Sequence, residues 1–169
     1  MIFWTRVHDT PLGDIILVEE DGKLREISIS KQEKSDPEIQ DSLEEIDPDV
    51  YQQDSPFLNR VESELREYFA GERESFDIPI KFAGTEFQES VWKVIASIPF
   101  GETISYGEIA GKIQKPNAAR AIGNACGNNP IPIVVPCHRV LASDGKLGGY
   151  SSGLDNKRTL LTLENIEWK

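Results

Sequence analysis

The sequence has few of the features that mark secreted, membrane-spanning or metal-binding proteins. It contains two cysteines, Cys126 and Cys137, which are too few for a disulfide framework. It has no paired CxxC or HxxxH spacing for a metal ion, and no apolar run approaches the ~20 residues that span a bilayer. The N-terminus lacks the basic and then apolar layout of a signal peptide. We therefore expect a cytoplasmic protein with free thiols, no metal or other cofactor, and no membrane association.

Acidic and basic residues are divided unevenly between the two halves of the chain. The net charge of −11 argues at first sight against a nucleic-acid partner. Residues 1–84 carry 9 Lys and Arg against 21 Asp and Glu, whereas residues 85–169 carry 9 against 8. Because phosphate contact needs only a local basic face, the C-terminal half remains a candidate for salt-sensitive DNA binding of moderate affinity. Its seven central basic residues are Lys112, Lys115, Arg120, Arg139, Lys146, Lys157 and Arg158, with only Asp144 and Asp155 among them.

The first thirty residues have the pattern of a small antiparallel β-sheet. Residues 2–8 and 14–30 are rich in β-branched and aromatic side chains. Asp21-Gly22 divides the second stretch and predicts a hairpin, because this pair accepts the positive φ of a type I′ turn.

The next segments predict a loop, a helix and a connector. Residues 31–54 are acidic with little apolar periodicity, which indicates a loop or poorly ordered linker with one helical turn at most. A helix then begins at Ser55-Pro56 and ends at Gly71. Its predicted apolar stripe consists of Phe57, Val61, Leu65 and Phe69. Residues 76–84 are extended, with Pro79 favouring an edge or connector. We expect an N-terminal domain over 1–83 and a C-terminal domain over 84–169.

The C-terminal half predicts a helix-turn-helix. Thr85 to Gln88 has a capping pattern, followed by helical apolar spacing up to Ile98. A short helix is predicted from Ser105, then a turn, then a helix over 118–126 built from small residues. That second helix has two interpretations. Either it approaches another surface closely and projects Arg120, or it packs in the core while Arg120 makes a surface ion pair.

The segment 130–141, PIPIVVPCHRVL, is where the sequence concentrates reactive side chains. Its apolar run from Ile131 to Val135 predicts a buried, extended segment that delivers Cys137, His138 and Arg139. Neighbouring cations or a base would lower the pKa of the thiol and make it nucleophilic. The alternative is a buried structural cysteine beside a surface His-Arg pair. A flexible loop, 148–153, and a final helix over 154–165 follow.

Five stretches, taken together, resemble one family. They are ISYGEIA (104–110), PNAARAIGNA (116–125), NNPIPIVVPCHRV (128–140), GGYSSG (148–153) and KRTLLTLE (157–164). In order and spacing the chain resembles the O6-alkylguanine-DNA alkyltransferases, or methylated-DNA–protein-cysteine methyltransferases, over about half its length. The resemblance implies an α+β fold. It comprises a ribonuclease H-like N-terminal domain, with a small antiparallel sheet and a helix, and a mostly α-helical C-terminal domain with a winged-helix-like helix-turn-helix.

The resemblance also implies a reaction and its residues. The family transfers an alkyl group from O6-alkylguanine in double-stranded DNA, and with it O4-alkylthymine, to a cysteine that keeps it. Cys137 matches the nucleophile and His138 the base that acts through a water. Glu164 matches the carboxylate that orients the base, and Asn129 the residue that braces the turn. Tyr106 matches the tyrosine that protonates the departing guanine.

Further matching positions imply contacts with DNA and with a flipped base. Arg120 matches the arginine that fills the vacated space, on a helix that approaches the minor groove. The expected DNA-contacting residues are Tyr106, Ala119, Arg120, Gly123 and Arg139. The expected walls and hydrogen-bonding groups of the base pocket are Pro132, Val140, Tyr150 and Ser151. The resemblance implies a monomer, and Cys126 is expected to be packed without a catalytic role.

Three other classes of protein are weighed against this one. An alkyltransferase-like protein that binds the lesion without repair lacks the cysteine, so Cys137 argues against it. A helix-turn-helix regulator leaves the PCHRV motif, Tyr106 and Glu164 unexplained. A cysteine hydrolase usually takes its base from elsewhere in the sequence rather than from the adjacent residue.

Overall fold

A computed structural model describes residues 1–29 and 34–169, and the chain divides into two compact units, Met1–Lys81 and Phe82–Lys169. The predicted domain boundary after residue 83 lies two residues from this division. Helices and strands occur in both units, so the predicted α+β class is confirmed. None of the helices in the described ranges has the length and apolar character that crossing a membrane requires.

The N-terminal unit contains a four-stranded sheet with the order β3-β2-β1-β4. Its strands are β1 (Ile2–Thr10), β2 (Gly13–Glu20), β3 (Lys23–Ile29) and β4 (Val50–Gln52). The first three are antiparallel, as the sequence predicts. Asp21 and Gly22 form the β2–β3 turn with φ of 52° and 77°, which confirms the hairpin. Ser30, the predicted last residue of this region, lies outside the described residues.

The prediction of a loop over 31–54 is wrong for half of the segment, and its first three residues lie outside the described ones. Helix α1 spans Asp36–Glu44, and β4 pairs parallel to β1, an arrangement that the sequence does not predict. Ser35 and Glu38 form a capping box that starts α1. Only Ile39 and Leu43 are buried, one turn apart. Two apolar residues in an acidic segment are too weak a periodic signal to predict a helix.

Helix α2 spans Pro56–Phe69 and has the predicted ends. Ser55 caps it, accepting a hydrogen bond from the Leu58 amide at 2.9 Å. Gly71 adopts φ 77° after the last turn, where a left-handed residue closes a helix. The buried face is displaced from the predicted stripe: Leu58, Val61, Leu65 and Tyr68 are buried, whereas Phe57 and Phe69 are only half-buried. Beyond α2, the Pro79 carbonyl accepts from the Leu24 amide, so the predicted connector lies along β3.

The C-terminal unit contains four helices among the described residues. They are α3 (Glu86–Ala96), α4 (Tyr106–Lys112), α5 (Ala119–Gly127) and α6 (Leu154–Leu163). Helices α4 and α5 form the predicted helix-turn-helix, and Thr85 with Gln88 forms the predicted capping box of α3. The Trp92 indole donates to the Ala125 carbonyl at 2.8 Å and ties α3 to α5.

Two short parallel strands bring distant chemistry together in this unit. They are β5 (Ile104–Ser105) and β6 (Val140–Leu141). Tyr106 follows β5 directly, and the residues Cys137–Arg139 form a 3-10 helix that runs directly into β6. The pairing therefore places the start of α4 next to the segment that carries the thiol.

Gly84 lies against the ring of Trp92, and we expect Gly84→Ala to destabilise the protein. An added Cβ would come within 2.5 Å of the Trp92 ring, which is buried and hydrogen-bonded. Overpacking of this kind lowers the free energy of unfolding by roughly 1–3 kcal/mol. The matched control is Gly111→Ala in α4, where a Cβ meets nothing within 4 Å. Urea denaturation of both variants provides the comparison, and an equal effect would rule out the clash.

Candidate active site

A tight turn, and not an extended segment, delivers the Cys137 thiol. The residues from Ile131 to Val135 are turns and bends, and Ile133 has φ 73°, so the prediction of an extended run is wrong although its burial is confirmed. The Asn129 amide donates to the Val135 carbonyl at 2.8 Å, and its oxygen accepts from the Ile131 amide at 3.0 Å. Both ends of the turn are thus fixed by one side chain, the bracing expected of Asn129.

Burial keeps the Cys137 thiol neutral at rest. The side chain is only 5% exposed, and this burial raises the pKa of the thiol. A hydrogen bond from the Asn129 side chain and the charge of Lys157 oppose the rise without overcoming it. Neighbouring groups therefore lower the thiol pKa as expected, but burial outweighs them in the resting protein. A base must remove the proton as the thiol reacts.

His138 and Glu164 form a fully buried pair. The imidazole Nε2 lies 2.5 Å from the Glu164 Oε2, and neither side chain is exposed. Burial lowers the pKa of His138, while the hydrogen bond with Glu164 opposes this. A neutral ring that donates from Nε2 has its acceptor lone pair on Nδ1. That Nδ1 is buried and has no hydrogen-bond partner among the described residues. His138 is therefore in the form that accepts a proton.

Arg139 holds the carboxylate of Glu164 from the other side. Its Nε donates to Oε1 at 2.8 Å and its Nη2 to Oε2 at 3.1 Å. The Gly101 amide donates to Oε1 at 3.0 Å, and the Arg139 Nη1 donates to the Ile98 carbonyl at 2.6 Å. Arg139 is only 5% exposed, so its expected role at the DNA surface is wrong. The guanidinium instead fixes the orientation of the Glu164 carboxyl group through two hydrogen bonds.

A cavity of about 350 Å³ opens onto Cys137. The residues that line it are Tyr106, Gly123, Cys126, Gly127, Cys137, Gly149, Tyr150 and Ser151. Gly148 approaches Tyr106 so closely that a Cβ there would meet the phenol oxygen at 2.9 Å. Burial raises the pKa of Tyr106, so its phenol stays protonated and is available as a donor.

Four of the sequence-predicted catalytic and pocket residues line this cavity, and two of the expected pocket residues do not. Tyr106, Cys137, Tyr150 and Ser151 surround it, whereas Pro132 and Val140 are buried outside the lining. Gly123, expected at the DNA surface, also lines it. Cys126 is buried, as expected of a packed residue, and it also borders the same space. Burial raises its pKa to about 12, so this second thiol is far less acidic than an ordinary one.

Lys157 supports the cavity wall, a role that the sequence interpretation missed. Its side chain is fully buried, and its ammonium donates to the carbonyls of Val140 at 2.7 Å, Leu147, and Gly149 at 3.1 Å. One cation therefore ties the end of the 3-10 helix to the loop that lines the cavity. A signal was available: Lys157 precedes Leu160 and Leu161 by three and four residues, on the buried face of α6.

The buried Lys157 predicts a rise in stability at alkaline pH. Burial lowers its pKa from 10.5 to about 8, so between these values the unfolded chain binds the proton and the folded chain does not. The free energy of unfolding therefore gains about 2 kcal/mol from this group between pH 7.5 and 9.5. Lys157→Met removes this pH-dependent gain, even where the substitution also changes the free energy of unfolding by the same amount at both pH values. Urea denaturation of both proteins at the two pH values measures it, and an equal pH response would contradict the assignment.

The second helix of the helix-turn-helix carries exposed small residues and an exposed arginine. Ala119 and Arg120 are both exposed at the start of α5. Arg120 makes no ion pair within the described part of the chain, so the interpretation as a core helix with a surface ion pair is not supported. No three His, Cys, Asp or Glu side chains converge on a possible metal position in residues 1–29 and 34–169.

Together, the fold and the site define a helix-turn-helix protein with a buried cysteine at a cavity and a buried His–Glu pair. The family model for the 6-O-methylguanine DNA methyltransferase DNA-binding domain matches residues 86–166. The model for the ribonuclease-like domain of the same proteins matches residues 4–82. The chain belongs to the O6-methylguanine DNA methyltransferase family.

Relatives and solved structures agree with this assignment. The chain is 44% identical to a methylated-DNA–protein-cysteine methyltransferase of Methanosarcina acetivorans, over 94% of this chain and 96% of the relative. A crystal structure of the Mycobacterium tuberculosis O6-methylguanine methyltransferase is 40% identical, with a TM-score of 0.82 over 97% of this chain and 93% of that one. The mycobacterial protein in complex with DNA has the same identity and TM-score over 96% and 92%. Accordingly, the activity of the chain is direct DNA repair by alkyl transfer to a protein cysteine.

Proposed function

We propose that Cys137 is the acceptor and that O6-alkylguanine in double-stranded DNA, with O4-alkylthymine, is the substrate. The observation that carries the proposal is the neutral, buried thiol facing a cavity next to a His–Glu pair with a free acceptor nitrogen. Such a thiol needs a base only while it reacts. Transfer is irreversible because a thioether is formed, so each molecule acts once.

The chemical step is a displacement at the alkyl carbon. The thiol proton of Cys137 passes through a water to Nδ1 of His138, and Glu164 stabilises the imidazolium that forms. The sulfur–carbon bond forms as the carbon–O6 bond breaks, and the bonding electron pair stays with guanine. Tyr106 donates a proton to N3 of the departing base, so guanine leaves as a neutral species. The phenolate then regains a proton from solvent as the His138 imidazolium releases one to solvent. Overall, the thiol hydrogen is exchanged for the alkyl group.

The base must leave the duplex to reach this cavity. Arg120 fills the vacated space in the stack, while Ala119 and the small residues of α5 allow close approach to the minor groove. Tyr150 forms a wall for the base and Ser151 bonds its polar edge, since both residues line the cavity. We propose that the protein acts as a monomer in the cytoplasm.

A titration with lesion-containing duplex tests the stoichiometry. With a short duplex that contains O6-methylguanine in excess, repaired lesions should reach a plateau at one per protein molecule. Continued turnover after that plateau would contradict irreversible transfer to the protein.

Arg120→Ala should impair repair of the duplex much more than reaction with free O6-benzylguanine base. The arginine acts only when a base has to leave the stack, and extrusion requires a few kcal/mol. We expect the rate on duplex DNA to fall roughly 10–100-fold while the free-base rate is unchanged. Arg158→Ala is the control, because Arg158 is exposed but paired with Asp155 on α6. Equal losses on both substrates would remove the flipping role.

A further inference from the structure

A second groove of the C-terminal unit, outside the cavity at Cys137, carries a concentration of positive charge. It has a volume of about 770 Å³ and lies between the start of α3 and the end of α4. The residues that line it are Thr85, Glu86, Phe87, Ser90, Lys93, Lys112, Ile113 and Lys115. Three lysines therefore face one groove with a single carboxylate, that of Glu86.

The three lysines, like Arg120, have no carboxylate partner within the described residues, whereas three other cations of this unit do. Arg139 is buried on Glu164, Arg158 pairs with Asp155, and Lys146 lies 3.8 Å from Asp144. Within the described residues, none of Lys93, Lys112 and Lys115 forms an ion pair. Each of the three is exposed, so their charges are available to a partner.

One of these lysines is held in place by the protein. The Lys115 ammonium lies 5.1 Å from the centre of the Phe87 ring, within the range of a cation–π contact. The Lys115 amide also donates to the Ala110 carbonyl at 2.9 Å, which fixes its backbone at the end of α4. Lys115 therefore presents its charge from a defined position rather than from a freely moving chain.

The position of the groove indicates what its charges meet. Lys115 lies in the turn that joins α4 to α5, and Arg120 is the second residue of α5, five positions further along the chain. We propose that this three-lysine groove binds the phosphodiester backbone of the DNA strand flanking the lesion. The inference rests on the proposed function, since it assumes that α5 meets the duplex. Cations that contact phosphates release counterions, so the groove supplies salt-sensitive affinity without reading sequence.

The salt dependence of duplex binding tests the groove. The triple variant Lys93→Gln, Lys112→Gln, Lys115→Gln is compared with the wild type on an undamaged duplex over 50–200 mM salt. Each lost phosphate contact should reduce the slope of log affinity against log salt by about 0.9. For three contacts, the affinity deficit of the variant at 50 mM should exceed its deficit at 200 mM by about 40-fold. Lys146→Gln is the matched control, an exposed lysine of the same unit outside the groove, and should leave the slope unchanged.

Other readouts separate this inference from its rivals. Lys93 and Lys112 lie in the last turns of α3 and α4, where a lysine can simply stabilise the helix end. A variant with lower stability but the wild-type salt slope would overturn the inference in favour of that role. Reaction of the variant with free O6-benzylguanine should be unchanged, which tests the proposed function independently of the groove. Glu86→Gln removes the only carboxylate in the groove and should strengthen duplex binding; unchanged or weaker binding would also count against phosphate contact.

Discussion

Cys137→Ala is expected to abolish alkyl transfer while the protein still binds lesion-containing duplex with wild-type affinity. The alanine removes the only thiol beside the buried His–Glu pair, and no other nucleophile takes its place. Cys126 borders the same cavity, but burial raises its pKa to about 12. A thiol reacts as its thiolate, so Cys126 stays unreactive at neutral pH.

The two cysteines provide a matched pair for this measurement. Gel-shift affinity and transfer of a radiolabelled methyl group are compared for Cys137→Ala and Cys126→Ala. We expect Cys126→Ala to retain methyl transfer, because Cys126 lines the cavity but does not react with the alkyl group. Methyl transfer that persists in Cys137→Ala, or that disappears in Cys126→Ala, would overturn the assignment of the nucleophile.

Glu164→Gln is expected to lower both the stability of the protein and the rate of transfer. The carboxylate accepts from His138, Arg139 and the Gly101 amide, and the two side chains among these donors are buried. The neutral amide of the glutamine leaves the buried Arg139 charge without a negatively charged partner. Loss of one partner of a buried ion pair typically lowers the free energy of unfolding by about 3–5 kcal/mol. The amide also cannot stabilise the His138 imidazolium as the carboxylate does. Loss of a positioned acid–base group slows a reaction roughly 10²–10⁴-fold.

Asp155→Asn is the control for Glu164→Gln. Asp155 is also a carboxylate of the α6 region that pairs with an arginine, but its pair with Arg158 is exposed. Exposed ion pairs contribute about 0–1 kcal/mol, so we expect little change in stability and none in transfer. Urea denaturation and single-turnover rates, measured where each variant is folded, separate the two effects. A Glu164→Gln protein that is less stable but transfers at the wild-type rate would leave Glu164 a purely structural role.

Capping and turn patterns in the sequence predicted where helices begin and where a hairpin turns. Ser55 and Thr85 cap the helices that the sequence assigns to them, and Asp21-Gly22 forms the expected turn. Each of these features depends on side-chain hydrogen bonds or backbone angles within four residues, so the sequence contains the whole cause. The same reasoning failed over 31–54, where α1 and β4 are stabilised by packing on β1.

The sequence indicated the candidate reactive side chains of the site but not the buried residues that hold them in place. The resemblance identified Cys137, His138 and Glu164, and the structure brings the last two into contact. Arg139 and Lys157 were counted as surface charges because a charged side chain is usually exposed. Their burial depends on partners far along the chain: Ile98 and Glu164 for the arginine, and three backbone carbonyls for the lysine. Nothing in the spacing of residues reveals these partners.

The turn before Cys137 shows why an apolar run did not fix its conformation. Ile131 to Val135 is buried as predicted, but the side chain of Asn129 bonds both ends of the turn and closes it. Burial follows from composition, whereas the path of the backbone follows from where its amides and carbonyls find partners.

The most direct test of the central claim is the mass of the intact protein after incubation with a short duplex that contains one O6-methylguanine, followed by peptide mapping. The account predicts a gain of one methylene, methyl in place of hydrogen, located on Cys137 in one-to-one yield with the lesions repaired. An unmodified protein that remains bound to the duplex, or a methyl group located on Cys126, would contradict it.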